Sequence, residues 1–251
     1  MKKGLSLGPE GELTEKIDST PQEFNFVEFS IGEHERPVEE IDKEEVKKAL
    51  ERNKLDLTIH LPFKQPLATS VDEINQGVLN YQERLMKFAK ELGAEKTVIH
   101  SDMRYDDAEK EIEKLPSQIE KVMALGREIG IEVCFENLGQ WRGLELFELG
   151  ELLDRLDAPM CFDTGHAFSE VGQEETEEFL EQYSHLISHL HLNDTREGRD
   201  MHLPLGSSEI NFPPIIEKLG EFEGTWCLEI FTEDPDYQLL ALEKLENWTK
   251  N

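Results

Sequence analysis

Eight short apolar runs, each about one strand long, recur along the chain with helix-forming stretches between them. They cover residues 4–7, 25–29, 56–60, 97–100, 132–136, 160–163, 189–192 and 226–230. The clearest helix lies over residues 71–92. There Ile74, Val78, Tyr81, Leu85, Phe88 and Leu92 recur at alternating steps of four and three, which lays one apolar stripe along a helix of about 3.6 residues per turn. Gly93 follows as a stop. The same reasoning predicts helices over 42–53, 117–129, 144–156, 174–183, 213–219 and 236–248, with a weakly helical or irregular first crossover over 8–22. Alternation of strand and helix demands a parallel sheet, and eight repeats within 251 residues point to closure into a (β/α)8 barrel. A doubly wound open sheet is the competing architecture. It needs short or polar edge strands, and no such pair stands out. No linker or shift of composition divides the chain, so one barrel domain over 1–251 is expected.

Charge and cysteine usage narrow the setting. With 26 Lys and Arg against 55 Asp and Glu, the net charge is −29. Such a balance disfavours indiscriminate binding to nucleic acid or anionic membrane, and it fits a halophilic surface whose self-repulsion salt screens. The acidic runs Glu109, Glu111, Glu113 and Glu174, Glu175, Glu177, Glu178, Glu181 read as solvated helix faces. Cys134, Cys161 and Cys227 sit in apolar runs and read as small buried thiols in a reducing compartment. No signal segment stands out, and no apolar run approaches the roughly 18 residues of a membrane span. A soluble, cytoplasmic protein is expected.

The chemistry gathers where strands end. His60 and His100 close the third and fourth runs, Glu136 the fifth, and Asp163 the sixth, with His166 just beyond. His191 lies in the seventh run and Glu229 in the eighth, while Asp200 and His202 follow the seventh. In a barrel these strand ends converge on one mouth. Carboxylates crowded there repel one another, and a cation is their natural counter-charge. Oxygen and imidazole donors without thiolate suit Zn²⁺, Mn²⁺, Co²⁺ or Mg²⁺, one to three ions. His189, one layer deeper than His191, reads as a hydrogen-bonded core histidine. His185 reads as a helix-end residue and His34 as a surface one. Cys134, Cys161 and Cys227 each precede a proposed ligand by two residues, which places them inside the barrel beneath it. Lys64, Arg104, Arg142, Arg196 and Arg199 follow the ligand-bearing runs and form a candidate cationic rim for a phosphate.

These residues resemble a known superfamily. His60-Leu61-Pro62-Phe63, Val98-Ile99-His100, Phe135-Glu136-Asn137, Cys161-Phe162-Asp163-Thr164-Gly165-His166, His189-Leu190-His191-Leu192-Asn193-Asp194, Asp200-Met201-His202 and Leu228-Glu229 are similar to the motifs of xylose isomerase-like TIM barrels. That superfamily includes sugar-phosphate isomerases and epimerases and AP endonucleases of the endonuclease IV type. The resemblance implies a core metal site of Glu136, Asp163, His191 and Glu229, with the two glutamates as an acid–base pair and His166 orienting a substrate oxygen. Its endonuclease branch implies three zinc ions: one on His60, His100 and Glu136, one on the core set, and one on His166, Asp200 and His202. The first expectation is a metal-dependent isomerase or epimerase of a small sugar or sugar phosphate, working through an enediolate. The alternatives are an AP endonuclease acting on abasic DNA and a metal-binding barrel without turnover. The length of the chain and the loop over 30–38, poor in Gln, Arg and Trp, favour the first over the nuclease.

Overall fold

The computed structural model describes residues 1–9, 11–33, 35–103, 107–138, 143–196, 198–232 and 234–250. Eight parallel strands close in chain order: β1 (Lys2–Ser6), β2 (Phe26–Ser30), β3 (Asp56–His60), β4 (Lys96–His100), β5 (Glu132–Glu136), β6 (Met160–Asp163), β7 (Ile187–Leu192) and β8 (Thr225–Leu228). Pairing of β1 with β8 completes the barrel and excludes the open sheet. Outside it run α1 (Leu13–Ser19), α2 (Lys43–Asn53), α3 (Asp72–Leu92), α4 (Ala108–Ile129), α5 (Leu146–Leu156), α6 (Thr164–Tyr183), α7 (Phe212–Leu219) and α8 (Asp236–Trp248). The core lies between the outward faces of the strands and these helices, where Val27, Ile59, Phe135, Phe162 and Leu190 are wholly enclosed.

Several boundaries differ from the sequence reading for physical reasons. Helix α4 begins nine residues before the predicted 117 and runs through Pro116. The proline removes a bond to the carbonyl of Ile112, which lies on an exposed turn where water can replace it. Helix α6 is two helical segments joined at a kink, Gly172 (φ 80°): the predicted 174–183 lies in the second, and the first, from Thr164, lies outside the prediction and is capped by the Asp163 side chain, which accepts from the His166 amide at 2.6 Å. Strand β8 ends at Leu228, yet the Glu229 amide still donates to Leu192 across the sheet at 3.1 Å. Helix α3 buries Val78, Leu85 and Leu92 as expected but leaves Ile74 exposed. Asn75 is buried in its place and holds the entering loop, accepting from the Thr69 amide at 2.8 Å and donating to the Thr69 carbonyl at 2.9 Å.

Inside the barrel the two-residue alternation stacks side chains in layers. Gly4 leaves the floor open for the Phe26 ring: a Cβ at Gly4 would lie 2.1 Å from Phe26 Cζ. Cys134, Cys161 and Cys227 are free and fully buried. Burial pushes the Cys134 thiol up to about 12 and raises the other two, so they remain thiols. Among the described residues no helix is long and apolar enough to cross a membrane.

Candidate metal centre

The C-terminal strand ends converge on Glu136, at the end of β5. Its Oε2 lies 3.0 Å from His60 Nε2 and 3.1 Å from His100 Nε2. Its Oε1 lies 3.1 Å from His191 Nδ1 and 3.4 Å from His166 Nδ1. Burial alone raises a carboxyl, but His191, His100 and His166 around Glu136 outweigh it and hold the group well below the usual range, even though burial lowers His100 itself. Glu136, Asp163, His191 and Glu229 each offer one ligand atom, and these four atoms lie within 4.8 Å of one another. Two flanking groups meet the same limit: His60, Glu136 and His191 on one side, His166, Asp200 and His202 on the other. On the first side the tight group includes His191 rather than the His100 expected from the endonuclease pattern, although His100 does reach the same glutamate oxygen.

The motif residues position these side chains. Asn137 brackets Asp163 from β5, its amide donating to the Asp163 carbonyl at 3.0 Å and its oxygen accepting from the Asp163 amide at 2.8 Å. Asn193 donates to Asp163 Oδ2 at 2.8 Å, and a Cβ at Gly165 would sit 2.0 Å from Asn193 Oδ1. This is why glycine stands inside Asp163-Thr164-Gly165-His166. Asp194 anchors the loop that carries Asp200 and His202, accepting from the amides of Ser208 at 2.7 Å and Ile210 at 3.1 Å. His202 takes a left-handed backbone (φ 46°), and its ring packs on Phe231 with centroids 4.6 Å apart.

The ionisation pattern of the site is that of a cation's cradle. Burial, together with the negative charge of Glu229 and Glu136, pushes Asp163 up to about 6 against the pull of His166. Burial also opposes ionisation of Glu229, but His191 and His202 more than offset it, to about 2. Burial disfavours the charged rings of His60 and His202, yet Glu136 raises the first to about 9 and Glu229 with Asp200 the second to about 9. His166 and His191 are raised well above their ordinary value despite burial, by neighbouring carboxylates. Protons on imidazole thus balance the carboxylates, a task a divalent cation can take over. Glu229 Oε2 faces His191 Nδ1 at 3.2 Å and His202 Nδ1 at 3.5 Å, and His100 Nδ1 is buried without a hydrogen-bond partner among the described residues, donors and acceptors turned onto one point as around a ligand. The donor set therefore fits a divalent metal.

The remaining sequence expectations fall in different places. His189 is fully enclosed and hydrogen-bonded, and His185 pairs with Asp154 at 2.8 Å on the surface. Lys64, Arg196 and Arg199 are exposed, Lys64 with its ammonium 5.6 Å from the Phe63 ring, which itself neighbours His100. Arg104, Arg142 and His34 lie outside the described residues. Sequence reasoning missed Glu28 on β2. It is 1% exposed, inside the barrel, and bonded to both His189 and His191. Its signal was a lone carboxylate within Phe26-Val27-Glu28-Phe29, a strand whose two faces are both covered and offer no solvent side.

A closed eight-stranded barrel with His, Asp and Glu at its C-terminal mouth defines a class, and comparison with known proteins agrees. The chain belongs to the xylose isomerase-like TIM barrel family, which it matches over residues 22–251. Two proteins of Methanocaldococcus jannaschii, MJ1311 and MJ1188, both uncharacterised, are 24% and 25% identical over 71% and 70% of this chain. The matched segments span 66% and 67% of those relatives' own lengths. Among solved structures, a D-tagatose 3-epimerase-like protein superposes with a TM-score of 0.77 at 20% identity, over 100% of this chain and 97% of the other. The 3-keto-D-glucoside 4-epimerase YcjR of E. coli gives 0.79 at 18% identity, over 98% and 99%. A D-psicose 3-epimerase of Clostridium cellulolyticum H10, solved with D-tagatose, gives 0.80 at 14% identity, over 100% and 98%. At these identities the likeness is one of fold.

Proposed function

We propose that this protein is a divalent-metal-dependent epimerase or isomerase of a small sugar or sugar phosphate. The observation that carries the reading is the convergence of Glu136, Asp163, His191 and Glu229 within 4.8 Å, two glutamates among them, at the mouth of the barrel. Bound by these four residues, Zn²⁺, Mn²⁺, Co²⁺ or Mg²⁺ supplies electrophilic stabilisation of the negative charge that develops on adjacent substrate oxygens in an enediolate. One of Glu136 and Glu229 takes the proton beside the carbonyl and the other returns it. Glu229, 8% exposed against 1% for Glu136, is the more open of the two. His166 Nδ1 donates to the Asn137 carbonyl at 2.8 Å, and its Nε2, held only by a long 3.4 Å contact to Asp200 Oδ2, is the nitrogen that orients a substrate oxygen. Lys64, Arg196 and Arg199, with Arg104 and Arg142, supply cations for a phosphorylated substrate. A merely structural site has no need of a second glutamate open to the mouth, which argues against the non-catalytic barrel.

The test is product analysis by NMR after incubation with each metal and a panel of ketoses and their phosphates, including the D-psicose, D-tagatose and L-ribulose named for the fold relatives. Interconversion at one carbon supports the reading, and inertness of the whole panel with all four metals contradicts it. One observation favours a second reading, zinc-dependent AP endonuclease: the flanking groups on His60 and on His166, Asp200 and His202 give capacity for further ions. Incision of abasic duplex DNA, absent for the epimerase, separates the two.

A further inference from the structure

The metal-binding histidine proposed above, His191, offers only one ring nitrogen, Nδ1, to the centre. Its other nitrogen, Nε2, points down into the barrel and meets Glu28 Oε1 at 2.8 Å. The second oxygen of the same carboxylate meets His189 Nε2 at 3.0 Å. On its far side His189 Nδ1 lies 2.5 Å from Thr225 Oγ1, and Thr225 Oγ1 lies 3.2 Å from the Lys96 ammonium. A continuous chain therefore runs from the half-buried Lys96 and Thr225 at the barrel floor to the centre, with His189, Glu28 and His191 wholly enclosed.

The direction of each bond follows from the donors. A lysine ammonium has hydrogens and no lone pair, so Thr225 Oγ1 accepts from it. The threonine hydrogen is then free for His189 Nδ1, a nearer acceptor than the Ser188 carbonyl at 3.4 Å. With Nδ1 accepting, His189 carries its proton on Nε2 and donates it to Glu28. A carboxylate only accepts, so Glu28 also requires a proton on His191 Nε2. Without a cation His191 Nδ1 also carries a proton and donates it to Glu136 at 3.1 Å, and with Nε2 committed to Glu28 it is this Nδ1 proton that an incoming cation displaces.

We propose that Glu28 is the positioning residue of this centre: it selects the His191 tautomer that ligates through Nδ1, and His189, Thr225 and Lys96 hold Glu28 in place. The proposal rests on the metal centre assigned above. A carboxylate behind a ligating histidine fixes the ring orientation and strengthens the ligand. Glu28, His189, His191 and Cys227 also lie close enough to one another to hold an ion themselves. Complete pairing of both Glu28 oxygens with ring nitrogens argues for the hydrogen-bonded role.

The test uses Zn²⁺ alone, titrated calorimetrically into the full chain, with ring-¹⁵N histidine NMR of the zinc-loaded protein. Wild type should show a His191 proton on Nε2. Glu28→Gln should weaken zinc binding by about 10–100-fold at unchanged stoichiometry and displace that proton signal, which a merely structural role would not move. Glu28→Asp keeps the charge but withdraws it by one methylene; it should also lose affinity and serves if the glutamine variant does not fold. Unchanged affinity in a folded variant overturns the proposal. So does the loss of one whole equivalent of zinc, which would make Glu28 a ligand. If Glu229→Gln binds zinc as wild type does, the centre itself is wrong and the proposal falls with it, a failure recognised by that separate variant.

Discussion

Glu136 is surrounded by four imidazoles, two on each oxygen, and shares the mouth with Glu229. The barrel core lies outside the strands and does not depend on either carboxylate, so Glu136→Gln and Glu229→Gln are expected to abolish turnover while the circular dichroism spectrum persists. A fully active Glu229→Gln variant contradicts the acid–base assignment. The same residues give metal binding a pH dependence. In the metal-free protein His60 and His202 are raised from 6.5 to about 9. Their charge contributes stability that is fully present below 6.5 and is lost as pH rises through about 9. A cation in either flanking group, which His60 and His202 belong to, needs these rings neutral, and one in the core set replaces the charge they carry, so loading expels their protons. Zinc affinity is expected to climb between pH 6.5 and 9, with proton release that calorimetry in buffers of different ionisation heat reads directly. A pH-independent affinity contradicts this.

At the scale of elements, strand ends were the most legible part of the sequence. Each apolar run of a parallel strand stops where its side chains meet the mouth, so His60, His100, Glu136, Asp163 and His191 could be placed from the pattern alone. Period-two alternation likewise placed the three cysteines below. What the pattern did not reveal depends on contacts between distant strands. Glu28 belongs to the site only because β7 brings His189 and His191 across the barrel interior. Helix starts were blurred where one side chain sets them, as Asp163 does for α6. The barrel floor offers a direct test of this packing. Gly4→Ala places a methyl against the Phe26 ring and is expected to cost about 1–3 kcal/mol, read as a lower melting temperature. Combined with Phe26→Leu it should cost less than the sum of the two single changes, because the clash is relieved.

For the molecule as a whole, charge and closure dominate. A surface with net charge −29 repels itself, and salt screens that repulsion. The melting temperature is expected to rise from low salt to molar KCl, and an unchanged value contradicts the halophilic reading. Against this acidic field Lys64, Arg196 and Arg199 are exposed cations in loops that follow ligand-bearing strands, and we propose them as the phosphate-binding rim. Binding of a single sugar phosphate there should weaken only shallowly with salt, whereas a DNA backbone engaging several phosphates weakens steeply. A steep slope on abasic duplex DNA would move the assignment to the nuclease. The central claim is that a metal-loaded mouth transfers a proton at a carbon beside a carbonyl. Its most direct measurement is deuterium uptake from solvent into a ketose, followed by NMR with wild type, chelator-treated protein and Glu229→Gln. The account predicts exchange at one carbon in the metal-loaded wild type and none in the other two. Exchange that persists in Glu229→Gln, or after the metal is removed, would contradict it.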